Sequence, residues 1–231
     1  MKTTAVAILV AASSAGHAAI IIPSLAGTTN VNSFDVGVPA KLTDGSGLSQ
    51  PVPAGATLAT ALVTTHVFDG GYQQSWVSNA ASPDYFAVNP APVFIWDLGA
   101  DVPVSNIILW QYQNNGGNGT NIGNQTQNFT IRLNTAAEGT ATFAGSATNL
   151  SMQNNLQTGS PSPAQSFSLG GTTARYVQLT ITDNYYLAGG TTGGGDRIGL
   201  GEIRFNSEPV PEPGTLGLMA MAAAAIRRRR R

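Results

Sequence analysis

The 231-residue chain predicts an all-β protein, an antiparallel β-sandwich, on three observations. Alternation of apolar and polar residues recurs between residues 28 and 207. Apolar positions at helical spacing are hard to find in the same stretch, and Gly, Asn and Pro separate the alternating runs. Successive side chains of a strand point to opposite faces, so a period of two marks a sheet with one face in a core.

In chain order, the first candidate strand is 61–68, a Thr/Val-rich run that contains His66. Segments 93–98 (VFIWDL) and 107–112 (IILWQY) are apolar almost throughout, which predicts central strands. Segment 128–134 puts Phe129, Ile131 and Leu133 on one face, and 176–182 does the same with Val177, Leu179 and Ile181. Shorter runs at 140–144 and 165–169, and the closing Glu202-Ile203-Arg204-Phe205, bring the expectation to eight strands. Trp96 and Trp110 fall inside apolar strands and are expected in the core, whereas Trp76 fits either core or surface. The Gly/Asn-rich segments 114–127 and 187–196 are too polar for a sheet interior and are expected as surface loops. Neither ends in the Gly-Lys-Ser/Thr of a phosphate-binding loop.

Composition narrows the function. Residues 19–207 carry five basic against ten acidic residues, a net charge of about −5. Nucleic-acid binders draw most of their affinity from Lys and Arg on phosphates, so nucleic acid is excluded as a partner. With no cysteine, the chain has no disulfide scaffold, Cys-ligated zinc or thiol nucleophile. About 190 residues can bury a core without such staples.

The two ends differ from the body. Lys2, the apolar run 5–12 and the small residues of Gly16-His17-Ala18 read as a signal peptide, residues 1–18, removed near Ala18. At the other end, Pro211-Glu212-Pro213 precedes an apolar segment, 215–226, and five arginines that include Arg227, Arg228 and Arg229. As a helix those twelve residues rise about 18 Å, short of the roughly 30 Å hydrocarbon core. A short C-terminal hydrophobic helix of this kind suits a transient inner-membrane stop with the arginines held in the cytoplasm. Pro-Glu-Pro, hydrophobic stretch and basic cluster in this order resemble the PEP-CTERM sorting signal of Gram-negative bacteria. That resemblance implies an exosortase-type processing enzyme as partner and makes 208–231 a sorting signal, with 19–207 as the exported domain.

The body carries a second resemblance. Leu42-Thr43-Asp44-Gly45-Ser46-Gly47-Leu48, His66, Trp76, the strand through Trp96-Asp97-Leu98-Gly99, the strand through Trp110-Gln111-Tyr112, and Gly199-Leu200-Gly201-Glu202-Ile203 are similar in order to a discoidin (coagulation factor type C) domain. The resemblance implies a galactose-binding-like jelly roll. It also implies a structural calcium ion held by an early Asp-Gly loop and a Glu before the last strand, which here are Asp44 and Glu202. Asp69, in Phe68-Asp69-Gly70-Gly71, is an alternative early carboxylate. Calcium wants six to eight oxygens, which carbonyls and one or two carboxylates can provide. The competing reading of each Asp-Gly is a plain turn.

No Gly-x-Ser-x-Gly elbow or His-Glu-x-x-His pair occurs, and the carboxylates lie scattered beside turn residues. The sequence therefore reads as non-enzymatic, and the two resemblances together imply an envelope or matrix protein that binds extracellular polysaccharide or mediates adhesion. A structural component without a sugar ligand and a polysaccharide hydrolase are the alternatives. Sugar contact is expected from loop aromatics, with Tyr72, Tyr185 and Tyr186 the candidates.

Overall fold

A computed structural model describes residues 19–67, 71–81, 84–112, 122–155, 161–186 and 193–207. They form nine antiparallel strands: β1 Ala19–Ile21, β2 Ser24–Thr29, β3 Thr65–His66, β4 Trp76–Val77, β5 Val93–Gln111, β6 Thr126–Asn134, β7 Thr148–Ser151, β8 Ser162–Asn184 and β9 Gly199–Ser207. Two short helices join them, α1 Leu58–Leu62 and α2 Tyr85–Val88.

The runs at 93–98 and 107–112 belong to one strand, β5, and those at 165–169 and 176–182 are the two halves of β8. These long strands pair with each other from Val93↔Thr180 to Trp110↔Ala164 and bend together, with register breaks between Asp97 and Val102 and between Val104 and Asn106. Glycines absorb the bend: Gly99 has φ +89° and Gly170 φ +71°, a region costly for any residue with a Cβ. The bend turns one hydrogen-bonded path into two layers. In the first, β2, the start of β5, the end of β8, β6 and β7 lie side by side. In the second, β1 and β4 both pair with β9, which is followed by the end of β5, the start of β8 and β3.

Between the layers lies the main core, where Phe94, Trp96, Val177 and Leu179 of the first pack with Ile107, Leu109, Ile203 and Phe205 of the second. All three tryptophans are fully buried, so Trp76 is a core residue. The second layer is also covered on its outer face, where Ile108 and Trp110 pack with Ile20, Val52 and Ala61 beneath the 48–62 segment. Coverage on both faces explains why residues 107–110 are continuously apolar, and a fully buried side chain of this size contributes about 1.5–3 kcal/mol.

Two expected strands are corrected. Segment 140–144 is not a strand, because side chains take the carbonyls of this region. Asn134 Nδ2 donates to Gly139 O and Thr142 O, and Arg132 donates to Phe143 O and Gly145 O. Among its described residues, segment 61–68 contains only the two-residue β3. Its beginning is the end of α1, capped by Thr57, whose hydroxyl accepts the Thr60 N–H.

The register gives the sandwich two distinct ends. The described residues that flank the β5–β6, β7–β8 and β8–β9 connections all lie at one end, among them Gln111, Thr126, Ser162, Asn184 and Gly199. At the other end, Ala19 pairs with Ser207, so both ends of the domain leave side by side.

Candidate functional site

At the loop end is a cleft of about 330 Å³, lined by Phe34, Tyr72, Val77, Tyr112, Asn124, Asp196 and Arg197. Phe34 is fixed there because its N–H donates to Val77 O, at 2.9 Å. The Tyr72 ring meets Phe34 edge-on at 5.1 Å, and its hydroxyl donates to Asp35 Oδ2 at 2.7 Å. That hydrogen bond holds the phenol's pKa above its ordinary value. Arg197 stacks on Phe34 with its guanidinium carbon 3.9 Å from the ring centre, donates to Ser78 O at 3.3 Å, and lies 3.6 Å from Asp196 Oδ2.

Buried amides place Arg197. Asn124 Oδ1 accepts the N–H groups of Gly195 and Arg197, while Asn184 Nδ2 donates to the carbonyls of the same two residues. The next residue is held on β4's extension, where Ile198 N–H donates to Ser78 Oγ. Gly195, at φ +96°, must be glycine twice over, because a Cβ would also overlap the Tyr186 ring. Nearby, Gln125 donates to Tyr112 O and accepts from Asn155 N–H, and Gln111 donates to Thr126 O and Gln153 O. These neutral side chains tie together the bases of the three loops at this end.

The cleft thus offers an aromatic surface, a cation stacked on it, and carboxylate and hydroxyl oxygens along its rim. Its volume is at the low end for small-molecule sites. A flat arginine can donate hydrogen bonds to a polyol while the neighbouring carboxylates accept from it, and the ring supplies an apolar contact.

The expected site residues are distributed unevenly. Tyr72 lines this cleft. Tyr185 and Tyr186 sit at the same end but serve the fold: the Tyr185 hydroxyl donates to Met152 O at 2.6 Å, and the Tyr186 ring packs on Gly195. Asp69 lies outside the described residues, as do Pro211, Glu212, Pro213, Arg227, Arg228 and Arg229.

Asp44 and Glu202 meet on the outer face of the second layer. Asp44 closes its own turn, with Oδ1 accepting from Ser46 N–H and Oδ2 from Lys41 Nζ, both at 2.9 Å. Partial burial raises the Asp44 pKa, but these hydrogen bonds outweigh it and the net shift is downward. Glu202 is fully buried. Its Oε1 accepts from Gly45 N–H at 3.0 Å and from Arg204 Nη1 at 2.6 Å, while Oε2 is buried without a hydrogen-bond partner. Burial pushes its pKa up to about 7 in spite of Arg204. Arg204 in turn donates to Val52 O and Ile203 O. The pair therefore pins the 45–52 loop to the sheet.

A hard cation would find suitable oxygen chemistry in Glu202 Oε2, whereas both Asp44 oxygens are in use. Among the described residues no group of three His, Cys, Asp or Glu side chains converges. His66 is buried under Gly47, where a Cβ would overlap its ring. Its Nε2 lies 3.1 Å from Gln74 O, and burial lowers its pKa to about 4, so it is neutral.

Sequence reasoning missed Phe34, Asp35, Asn124, Asp196 and Arg197. One signal was available for Arg197. The body has five cations: Lys41 and Arg175 pair with carboxylates away from the cleft, Arg204 pairs with Glu202, and Arg132 serves carbonyls. Arg197, beside a Gly-rich loop, is the one that lines the cleft.

Residues 209–231 match the PEP-CTERM protein-sorting motif. The chain thus carries at its C-terminus a signal for export, cell-envelope sorting and exosortase processing. No curated protein matches the chain. Among solved structures it is similar to the family 32 carbohydrate-binding module of C. perfringens NanJ in complex with galactose. That match has 11% identity and a TM-score of 0.45, and covers 82% of this chain and 99% of that one. It is also similar to a module called GH31 CBM32-2 bound to GalNAc, at 13% identity, 82% and 98% coverage and a TM-score of 0.44. A third is the lectin domain of lectinolysin complexed with Lewis B antigen, at 14% identity, 78% and 90% coverage and a TM-score of 0.41. No ligand contact of those proteins is carried over to this chain.

Proposed function

We propose that this exported protein is a non-enzymatic polysaccharide-binding component of the cell envelope or extracellular matrix, and that the cleft at Phe34 and Arg197 receives the sugar. The observation that carries the reading is the Arg197 guanidinium stacked 3.9 Å over the Phe34 ring inside the 330 Å³ cleft, with its main chain held by Asn124 and Asn184. Preorganisation of this sort reduces the entropy lost on binding. The burial of His66 and the pairing of Glu202 support a role without catalysis. Adhesion to polysaccharide follows from the same cleft.

A glycan and polysaccharide array probed with residues 19–207 tests the proposal. Binding should be lost in Arg197→Ala with the melting temperature little changed, and an array without a binder overturns the reading. A structural matrix component with no sugar ligand is the second reading, favoured by Tyr185 and Tyr186 being committed to the fold.

We also propose a structural calcium ion at Glu202 Oε2, with backbone carbonyls as further ligands and Asp44 as a neighbouring turn. Bound, the ion would supply charge compensation and loop cross-linking. A melting curve unchanged by calcium or chelator overturns this.

A further inference from the structure

The cleft and the domain's two chain ends occupy opposite ends of the sandwich. Strand β9 runs the whole way between them. Gly199 pairs with Val77, a cleft residue, and Ser207 pairs with Ala19. Nine extended residues place these ends about 26 Å apart. The sorting motif begins at 209, so the chain enters it from the end that lacks the cleft.

Chain reach sharpens the geometry. Residues 208–214 separate Ser207 from the apolar segment that starts at 215. From Ser207 to residue 215 the chain takes eight residue steps, which span at most about 29 Å even when fully extended. Laying the cleft on the membrane would require Ser207 to stand a full strand length above it, about 26 Å, which uses nearly the whole reach of that tether. The opposite orientation needs no extension. The N-terminal side agrees, since anything joined to Ala19 leaves beside Ser207.

We propose that, while its sorting segment is still attached to the membrane, the sandwich stands with its cleft facing away from the lipid, so ligand capture does not wait for processing. The orientation rests on the reading of the cleft as the ligand site only for its consequence.

Because the chain has no cysteine, single labels are clean. Val88→Cys is exposed on α2, whose Tyr85 N–H donates to Gly195 O at the cleft end. Ala136→Cys is exposed in the β6–β7 connection at the other end. The full chain, labelled at either position with a bimane fluorophore, is mixed with phosphatidylethanolamine–phosphatidylglycerol vesicles containing headgroup spin-labelled lipid. The Ala136→Cys label should lose most of its fluorescence and the Val88→Cys label little. Equal quenching, the reverse order, or failure of the full chain to sediment with the vesicles overturns the orientation. No sugar enters this experiment, so it can fail while the glycan array succeeds, and the reverse.

Discussion

The sandwich pins loops to its sheets in two places by opposite means. Under the 45–52 loop the anchors are charged: Glu202 holds Gly45, and Arg204 holds Val52 while neutralising Glu202. Around the cleft the anchors are neutral amides, with Asn124 and Asn184 on residues 195–197 and Gln111 and Gln125 on neighbouring loop bases. Both solutions satisfy backbone groups that burial would otherwise orphan. They differ in what burial costs. A buried ion pair loses much of its Coulomb gain to desolvation and leaves a group that titrates, whereas an amide has no charge to lose. The anchors of the cleft loops therefore carry no titrating charge, whereas those under the 45–52 loop do.

Breaking each anchor should expose that difference. Arg204→Ala leaves Glu202 buried and unpaired and should cost about 3–5 kcal/mol in urea denaturation at pH 8. Because Glu202 takes up a proton below about 7, the cost should shrink at pH 5. A cost independent of pH would remove the charged-anchor interpretation.

The next effect is a pH profile, measured in chelator. The raised pKa of Glu202, about 7 against 4.5, means the folded chain holds an extra proton, so its contribution to stability falls as pH rises from 4.5 to 7. The depressed pKa of His66, about 4 against 6.5, acts in the other direction: its contribution is present above 6.5 and is lost as pH falls toward 4. Between pH 4.5 and 6.5 the two slopes oppose and the protein should show a near-flat stability. His66→Gln should unmask a decline with rising pH on the order of 3 kcal/mol across pH 4.5–7. A flat profile in that variant refutes the assignment.

Asn184→Ala removes two donated bonds and the one its Oδ1 accepts from Tyr186 N–H, and should cost about 2–3 kcal/mol, equally at pH 5 and pH 8. Thermal melts at both values check it. The smallest effect is expected for Tyr72→Phe. Its bond to Asp35 is exposed, so stability should change by less than about 1 kcal/mol, while any sugar affinity found on the array should weaken measurably.

Much of the fold was legible because burial writes a period into sequence. Val177, Leu179 and Ile181 alternate since one face of β8 meets the core, and 107–110 does not alternate since both faces of β5 are covered. The segment 140–144 misled because Asn134 and Arg132 capture its carbonyls from positions several residues away, a use of side chains that no local pattern records. The cleft was the least legible part. Phe34, Tyr72, Asn124 and Arg197 are far apart in the chain, and each alone is an ordinary loop residue.

By itself, then, the sequence determined the all-β class, the central strands and the sorting signal, because alternation, continuous apolarity and an ordered terminal motif are local and survive as linear patterns. Only the tertiary structure decided that Arg197 would lie on Phe34, that Glu202 would be paired with Arg204 beneath Gly45, and that the cleft would lie opposite Ser207. Those are contacts between segments whose neighbourhood is set by the register of β4, β5 and β9, and register is a property of paired strands rather than of any one of them.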